Sequence, residues 1–287
     1  MFGIIIALSC AFTWSLSVVL LKQISAQVHP SVLNLGKNTL GLMFLIPTAF
    51  LIDGPFPNVT DSQLLILFLS GFFGIGIADA FVLKAMGSLS ASRIAVLECL
   101  FAPFVIALSI IFLDESLNLQ QVFGALAIGA SLVLVLPKRG QEANSGKGAL
   151  FMVAGLLTMA GGILVVKPLF DQLPLFWIVA IRMVAGVVGS ILPFAAVSNK
   201  GQELQKLVIM EKKIAAFLAF FLSAYISIIL WLAGYKYLQA TIASVLNQTS
   251  TIFTVILAVL ILKEEFTPKK AAATILATVG VVIMSAH

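Results

Sequence analysis

The amino-acid sequence predicts an all-α integral membrane protein, with ten transmembrane helices laid out as two inverted five-helix repeats. Three observations carry this expectation. Of 287 residues, 61% are hydrophobic and only 10% are charged, against roughly 25% charged in a soluble domain. The apolar residues gather in runs of about 20, the length a helix needs to cross about 30 Å of hydrocarbon. The order of runs and breaks recurs on either side of one hydrophilic stretch. The runs do not alternate with period two, which argues against a β-barrel.

Taken in order, the first span is 2–22, within a chain that begins MFGIIIALSCAFTWSLSVVLL. It lacks a basic leading region and a small-residue cleavage site, so it reads as a retained membrane helix. The second (31–52) and third (63–86) spans are parted by DGPFPNVTD, 53–61, a turn rich in Gly, Pro, Asn and Asp. The fourth (90–113) and fifth (119–136) flank DESLNLQ, 114–120. PKRGQEANSGKG, 137–148, ends the first set. The sixth (148–168) and seventh (174–197) follow, then SNKGQELQ at 198–205 and the eighth span, 213–236. The ninth (240–262) and tenth (269–286) flank KEEFTPKK, 263–270. The expected organisation is a first repeat over 1–136, a linker over 137–147 and a second repeat over 148–287.

An offset of 145 brings Gly3 onto Gly148, Thr13 onto Thr158, Lys22 onto Lys167, Lys37 onto Arg182 and Gly41 onto Gly186. An offset of 150 brings FLDES (112–116) onto LKEEF (262–266), with Glu115 on Glu265. An odd number of crossings per repeat turns the second copy upside down. Inverted repeats mark secondary transporters, whose sites lie near the bilayer midplane between the halves.

The two five-span halves, the acidic turn before the last span of each (DES, KEE) and the basic residue in each second span (Lys37, Arg182) resemble the EamA-type transporters of the drug/metabolite transporter superfamily. The resemblance covers essentially the whole chain. It implies a ten-helix bundle around a central cavity, alternating access, and passage of small metabolites such as amino acids. The chain departs from the pattern in its DE and EE turns and in carrying Lys37 rather than Arg. The expected function is movement of a small polar metabolite, an amino acid or similar zwitterion, with export as the direction and protons as a candidate coupling ion. A lipid-linked substrate flippase or a drug or cation exporter of the same fold is the alternative.

Charge placement gives orientation. Lys22, Lys138, Arg139, Lys147, Lys200, Lys206, Lys212, Lys213, Lys263, Lys269 and Lys270 fall in the odd-numbered loops, and only Lys167 and Lys236 border the even ones. By the positive-inside rule the odd loops are cytoplasmic and both termini outside, in a bacterial inner (plasma) membrane. The same placement accounts for the net charge of +5 without a nucleic-acid partner. The expected partners are a small-molecule substrate, protons and the bilayer, with the chain a monomer or a homodimer.

Six charges lie within or near spans: Lys37, Asp79, Lys84, Arg93, Glu98 and Arg182. A charge at the bilayer centre costs about 3 kcal/mol or more, and such groups face the bundle interior and pair. Lys37, Asp79 and Glu98 lie at similar depths, so Lys37 is expected to neutralise Asp79 or Glu98. Lys84 and Arg93 lie near a loop and are expected to snorkel to the headgroups. Arg182 has no carboxylate at its depth in the second half, so its expected partner is Glu98 or a substrate carboxylate. Glu98 is the expected proton-coupling carboxyl.

Glu98 aligns with Gln248, beside Asn247 in the polar run NQTSTIFT, 247–254. An acid on one helix and amides on its counterpart suit a zwitterion, its ammonium near Glu98 or Asp79 and its carboxylate near Arg182. Trp14 and Trp231 are expected to wall the cavity; Tyr235 and Tyr237 are expected in an interfacial aromatic belt. Cys10 and Cys99 have no metal-ligand spacing. No His lies inside a span, and HExxH, GxSxG and P-loop patterns are absent from the sequence. The expectation is therefore no enzyme activity, no metal and no cofactor.

Overall fold

The computed structural model describes residues 2–113, 119–135, 145–238, 243, 246–265 and 267–285. The DES turn, Lys138, Arg139 and most of the linker lie outside the described residues. Among the described residues the chain is helical, with no strand. The elements are α1 (Phe2–Ile24), α2 (Pro30–Ile52), α3 (Asp61–Met86), α4 (Ala91–Glu98), α5 (Phe101–Leu113), α6 (Leu119–Val135), α7 (Ser145–Val166), α8 (Leu175–Ala195), α9 (Lys200–Ile209), α10 (Lys213–Tyr237), α11 (Ser250–Leu262) and α12 (Pro268–Ser285).

Length and apolarity single out six candidate spans among the described residues: α1, α2, α3, α7 with its short continuation to Leu169, α8 and α10. The segment 246–262 is a shorter apolar helix. Two sequence expectations differ here. The fourth span is broken after Glu98, four residues and fewer before Pro103. Proline lacks an N–H and its ring clashes with the carbonyl four residues back, so an unbroken helix is disfavoured at this point. The loop at 198–205 carries a helix, α9, with no buried residue.

Capping chemistry sets several helix starts. Thr60 and Gln63 form a reciprocal capping box at α3, satisfying two otherwise orphan N–H groups. Ser90 accepts from the Arg93 N–H at α4. Pro30 opens α2 at a position where its missing N–H costs nothing.

Two of the long helices contain a π-helical turn, Phe72–Ile77 in α3 and Leu222–Ser227 in α10. The helices α8 and α2 pass by them at very close range. A side chain on Gly71 would put its Cβ 2.1 Å from the Arg182 carbonyl oxygen of α8, and one on Gly41 of α2 would come 2.5 Å from the Ala224 carbonyl. Only glycine permits these approaches. They bring α2, α3, α8 and α10 together around the molecule's centre. Side chains such as Met43, Leu51, Leu126 and Leu260 point outward and exposed, as a lipid-facing surface requires.

The connections segregate to two ends. At one end Glu203 of α9 accepts from the His29 N–H at 2.9 Å, Lys22 donates to the Met86 carbonyl, and Glu264 binds the start of α4. At the other, Asp53 accepts from the Phe176 N–H at 2.8 Å, Trp177 donates to the Gly54 carbonyl, and Phe2 packs on Tyr237.

Glu264 accepts from the Ala91 N–H (2.8 Å), the Ser92 hydroxyl (2.7 Å) and the Lys270 ammonium (3.1 Å). Burial pushes its carboxyl up, but these bonds outweigh burial and hold it below its ordinary value of 4.5. A carboxyl lowered by folding stabilises the fold fully above its unfolded value, and that stabilisation is lost as pH falls through the folded value. The melting-temperature gap between wild type and Glu264→Gln should therefore be full at neutral pH and close as pH drops below about 4.5. A gap that stays constant across an acid titration in detergent contradicts this clasp.

Candidate functional site

Where α1, α3, α4, α10 and the segment before α11 converge lies a cavity of about 120 Å³, room for several waters or a small solute. Of the eight site residues expected from sequence, Trp14, Lys37, Asp79, Glu98, Trp231, Asn247 and Gln248 line it. Arg182 does not. The walls between the polar groups are apolar and aromatic, with Phe101 6.0 Å from the Trp231 ring.

Lys37 is 5% exposed, and its ammonium lies 2.6 Å from the Asp79 carboxylate. Of the two partners open to Lys37, the structure selects Asp79. The carboxylate extends from the helical turn just beyond the π-helical segment of α3. That segment is held by α2 itself: Asn34 donates to the Gly76 carbonyl at 2.7 Å and to the Ser190 hydroxyl at 3.0 Å, and Asn38 donates to the same hydroxyl at 2.9 Å. A buried amide network of this kind fixes the register of α2, α3 and α8.

Glu98 is the last residue of α4, at the break. One carboxylate oxygen accepts from the Trp14 indole N–H at 3.0 Å. The other has no hydrogen-bond partner among the described residues, and neither does either side-chain polar atom of Asn247 nor the Gln248 amide oxygen. The Gln248 amide donates to the Glu98 main-chain carbonyl at 3.4 Å. Buried polar atoms without partners are rare and mark places where a ligand or water completes the bonding. They cluster here on one wall of the cavity.

Arg182 is 1% exposed. The expected contact with Glu98 is not formed, because the register of α8 presents its neighbour Met183 to the cavity. The guanidinium instead packs behind Gly74, with Nη2 3.7 Å from where a Gly74 Cβ would sit. One other expectation is corrected, that for Tyr235. Tyr235 is 3% exposed and packs edge-on to Trp231 at 5.4 Å rather than in a belt, whereas Tyr237 is exposed. Lys84 lies over the Phe151 ring, 4.2 Å from its centre, an attraction between a cation and a ring face.

Sequence reasoning missed Ser223 and Ser227, which line the cavity from the π-helical turn of α10. Their spacing of four inside an apolar span was the available signal. Phe101, Met159 and Met183 also line it, and nothing in their local sequence sets them apart from packing residues. No cluster of three metal-binding side chains occurs among the described residues.

Comparisons bear on this site and fold. The model of the EamA-like transporter family matches residues 1–136 and again 146–286. A crystal structure described simply as that of a protein is similar over 99% of this chain and 97% of its own, with a TM-score of 0.66 and 19% sequence identity. That likeness is one of fold. No curated protein matches.

Removing one member of a buried ion pair leaves the other charge stranded, at a cost of about 3–5 kcal/mol, while replacing both by apolar residues is often neutral. Lys37→Met and Asp79→Leu should each lower the melting temperature markedly in detergent, and the double variant should regain most of the loss. Additive losses in the double variant contradict the pairing.

Proposed function

Because the chain belongs to the EamA-like transporter family, membrane transporters of the drug/metabolite transporter superfamily, we propose that it is a secondary transporter. It carries a small polar metabolite, an amino acid or similar zwitterion, outward by alternating access. The observation that carries the substrate reading is Glu98: one oxygen is held by Trp14 while the other stands without a partner, on a residue that lines a mostly apolar cavity together with Asn247, whose amide is also unpartnered. An ammonium group satisfies that oxygen. The Trp14 indole fixes the carboxylate's orientation, and Phe101 and Trp231 give the substrate's apolar part a surface.

Ten crossings in two inverted halves, 1–136 and 148–287 with a linker at 137–147, provide the frame. Support comes from contacts that recur under the sequence offsets. Gly3 meets Leu238, and Gly148 meets Ser88 and Leu89. Gly41 meets Ala224, and Gly186 meets Ile75, one residue on from the position aligned with Ala224. The π-helical turns lie 150 residues apart. Asp53, beyond α2, binds the start of α8, and Glu203, beyond α8, binds the start of α2. Glu98 and Gln248 touch each other, as equivalent residues do only beside a two-fold axis. Two halves that interlock in this reciprocal way can exchange conformations, which opens the shared cavity to alternate faces. The lysine-rich end, which carries Lys22, Lys206 and Lys270, is cytoplasmic in this reading and both termini are outside.

Glu98 is also the coupling group: an ammonium and a proton compete for the same unpartnered oxygen, so loading one releases the other. A second reading, export of an amphipathic organic cation, draws on the aromatic walls. In proteoliposomes with an imposed pH gradient, uptake of a labelled amino acid by wild type should follow the gradient, and Glu98→Gln should abolish that dependence. Undiminished pH-driven transport by Glu98→Gln overturns the coupling role. Carriage of cationic amines alone, with no amino acid moved, favours the second reading.

A further inference from the structure

Arg182 is buried to 1% exposure, and none of its three guanidinium nitrogens has a hydrogen-bond partner among the described residues. An ion in that position is costly to the fold unless something completes its bonding. Asp79, on the neighbouring α3, is bonded to Lys37 at 2.6 Å. The guanidinium thus retains its whole set of donors.

One residue without a side chain lies between the cavity and the nearest of those donors. Gly74 lines the cavity, and Arg182 Nη2 lies 3.7 Å from its missing Cβ position. The chain neighbours on either side of this seam also reach the cavity. Met183, next to Arg182, and Met159, next to Thr158, both line the cavity, and the Thr158 carbonyl is 4.0 Å from the same Cβ position.

We propose that Gly74 is a window through which Arg182 receives the anionic end of the substrate, a carboxylate, while the amine end is held at Glu98. The inference rests on the amine site at Glu98 described above and adds the second point of recognition. A planar guanidinium binds a carboxylate through two parallel N–H···O bonds, which fixes orientation as well as charge. Lys37, the position aligned with Arg182 in the first half, cannot serve in the same way because Asp79 occupies it. The two halves thus divide the work: one carries a closed ion pair, the other an open cation.

The window can be shut without breaking the wall. A methyl at Gly74 would lie 3.5 Å from the Gly162 Cα, 3.7 Å from Arg182 Nη2 and 4.0 Å from the Thr158 carbonyl, all ordinary contacts. The neighbouring Gly76 has no such room, with Gly189 2.7 Å away. Gly74→Ala is therefore expected to fold and to fill the gap.

The test uses the purified full chain in detergent, with Trp14 and Trp231 fluorescence and thermal shift as binding readouts. The probes are amino acids and the amines that lack only their carboxyl group: leucine with isopentylamine, γ-aminobutyrate with propylamine, and δ-aminovalerate with butylamine. The best acid in wild type should bind about tenfold or more tightly than its amine. Gly74→Ala should bring that ratio near one. Arg182→Lys, which keeps the charge and loses the fork, should reduce the ratio too, and it carries the test if Gly74→Ala does not fold. An acid preference that survives either folded variant, or is absent from wild type, overturns the window and leaves the Glu98 site standing. Failure of wild type to bind any acid or amine, or amine binding unaltered by Glu98→Gln, overturns the Glu98 site and the window together.

Discussion

The cost of ionised side chains in hydrocarbon shapes this molecule more than any single contact. At about 3 kcal/mol or more for each such charge, four of them near mid-depth cannot persist facing lipid. Lys37 and Asp79 cancel each other in a pair 2.6 Å apart. Glu98 has the Trp14 indole for one oxygen and the cavity for the other. Arg182 is walled in behind Gly74. Each solution depends on an interior where a few polar groups meet around a mostly apolar cavity and the helices elsewhere approach to backbone contact.

The tight packing and the roominess share a cause. At the π-helical turns of α3 and α10 an extra residue per turn widens the helix and redirects the side chains that follow. Asp79 stands just beyond one turn; Ser223 and Ser227 belong to the other. The glycines that cross these turns let α2 and α8 approach to backbone contact, and the Asn34, Asn38 and Ser190 bonds then hold the register. Backbone irregularity buried in protein is tolerated in a membrane where lipid-exposed irregularity is not.

Much of this was legible beforehand, and the physical reason is that burial of charge is so costly. The apolar runs announced membrane helices, and the shared depth of Lys37, Asp79 and Glu98 announced an interior polar level. The offset aligned Glu98 with Gln248, and the structure adds that the two touch. Side-chain direction was less legible. Arg182 and Met183 are neighbours about 100° apart on one helix, and only the packing of α8 against α3 decides which of them meets the cavity. The break after Glu98 was signalled by Pro103, yet a proline in a membrane helix announces a break or a kink equally well. The π-helical turns left no clear signature beyond their small residues.

The central claim is that Glu98 borders a water-filled cavity rather than a dry core. The direct measurement is Glu98→Cys in a Cys10→Ala, Cys99→Ala background, reconstituted in proteoliposomes and exposed to a small, membrane-impermeant thiol reagent. The account predicts modification from the aqueous phase, slowed by a bound substrate. A thiol that reacts only after detergent denaturation, and never in the folded protein from either side, would contradict it.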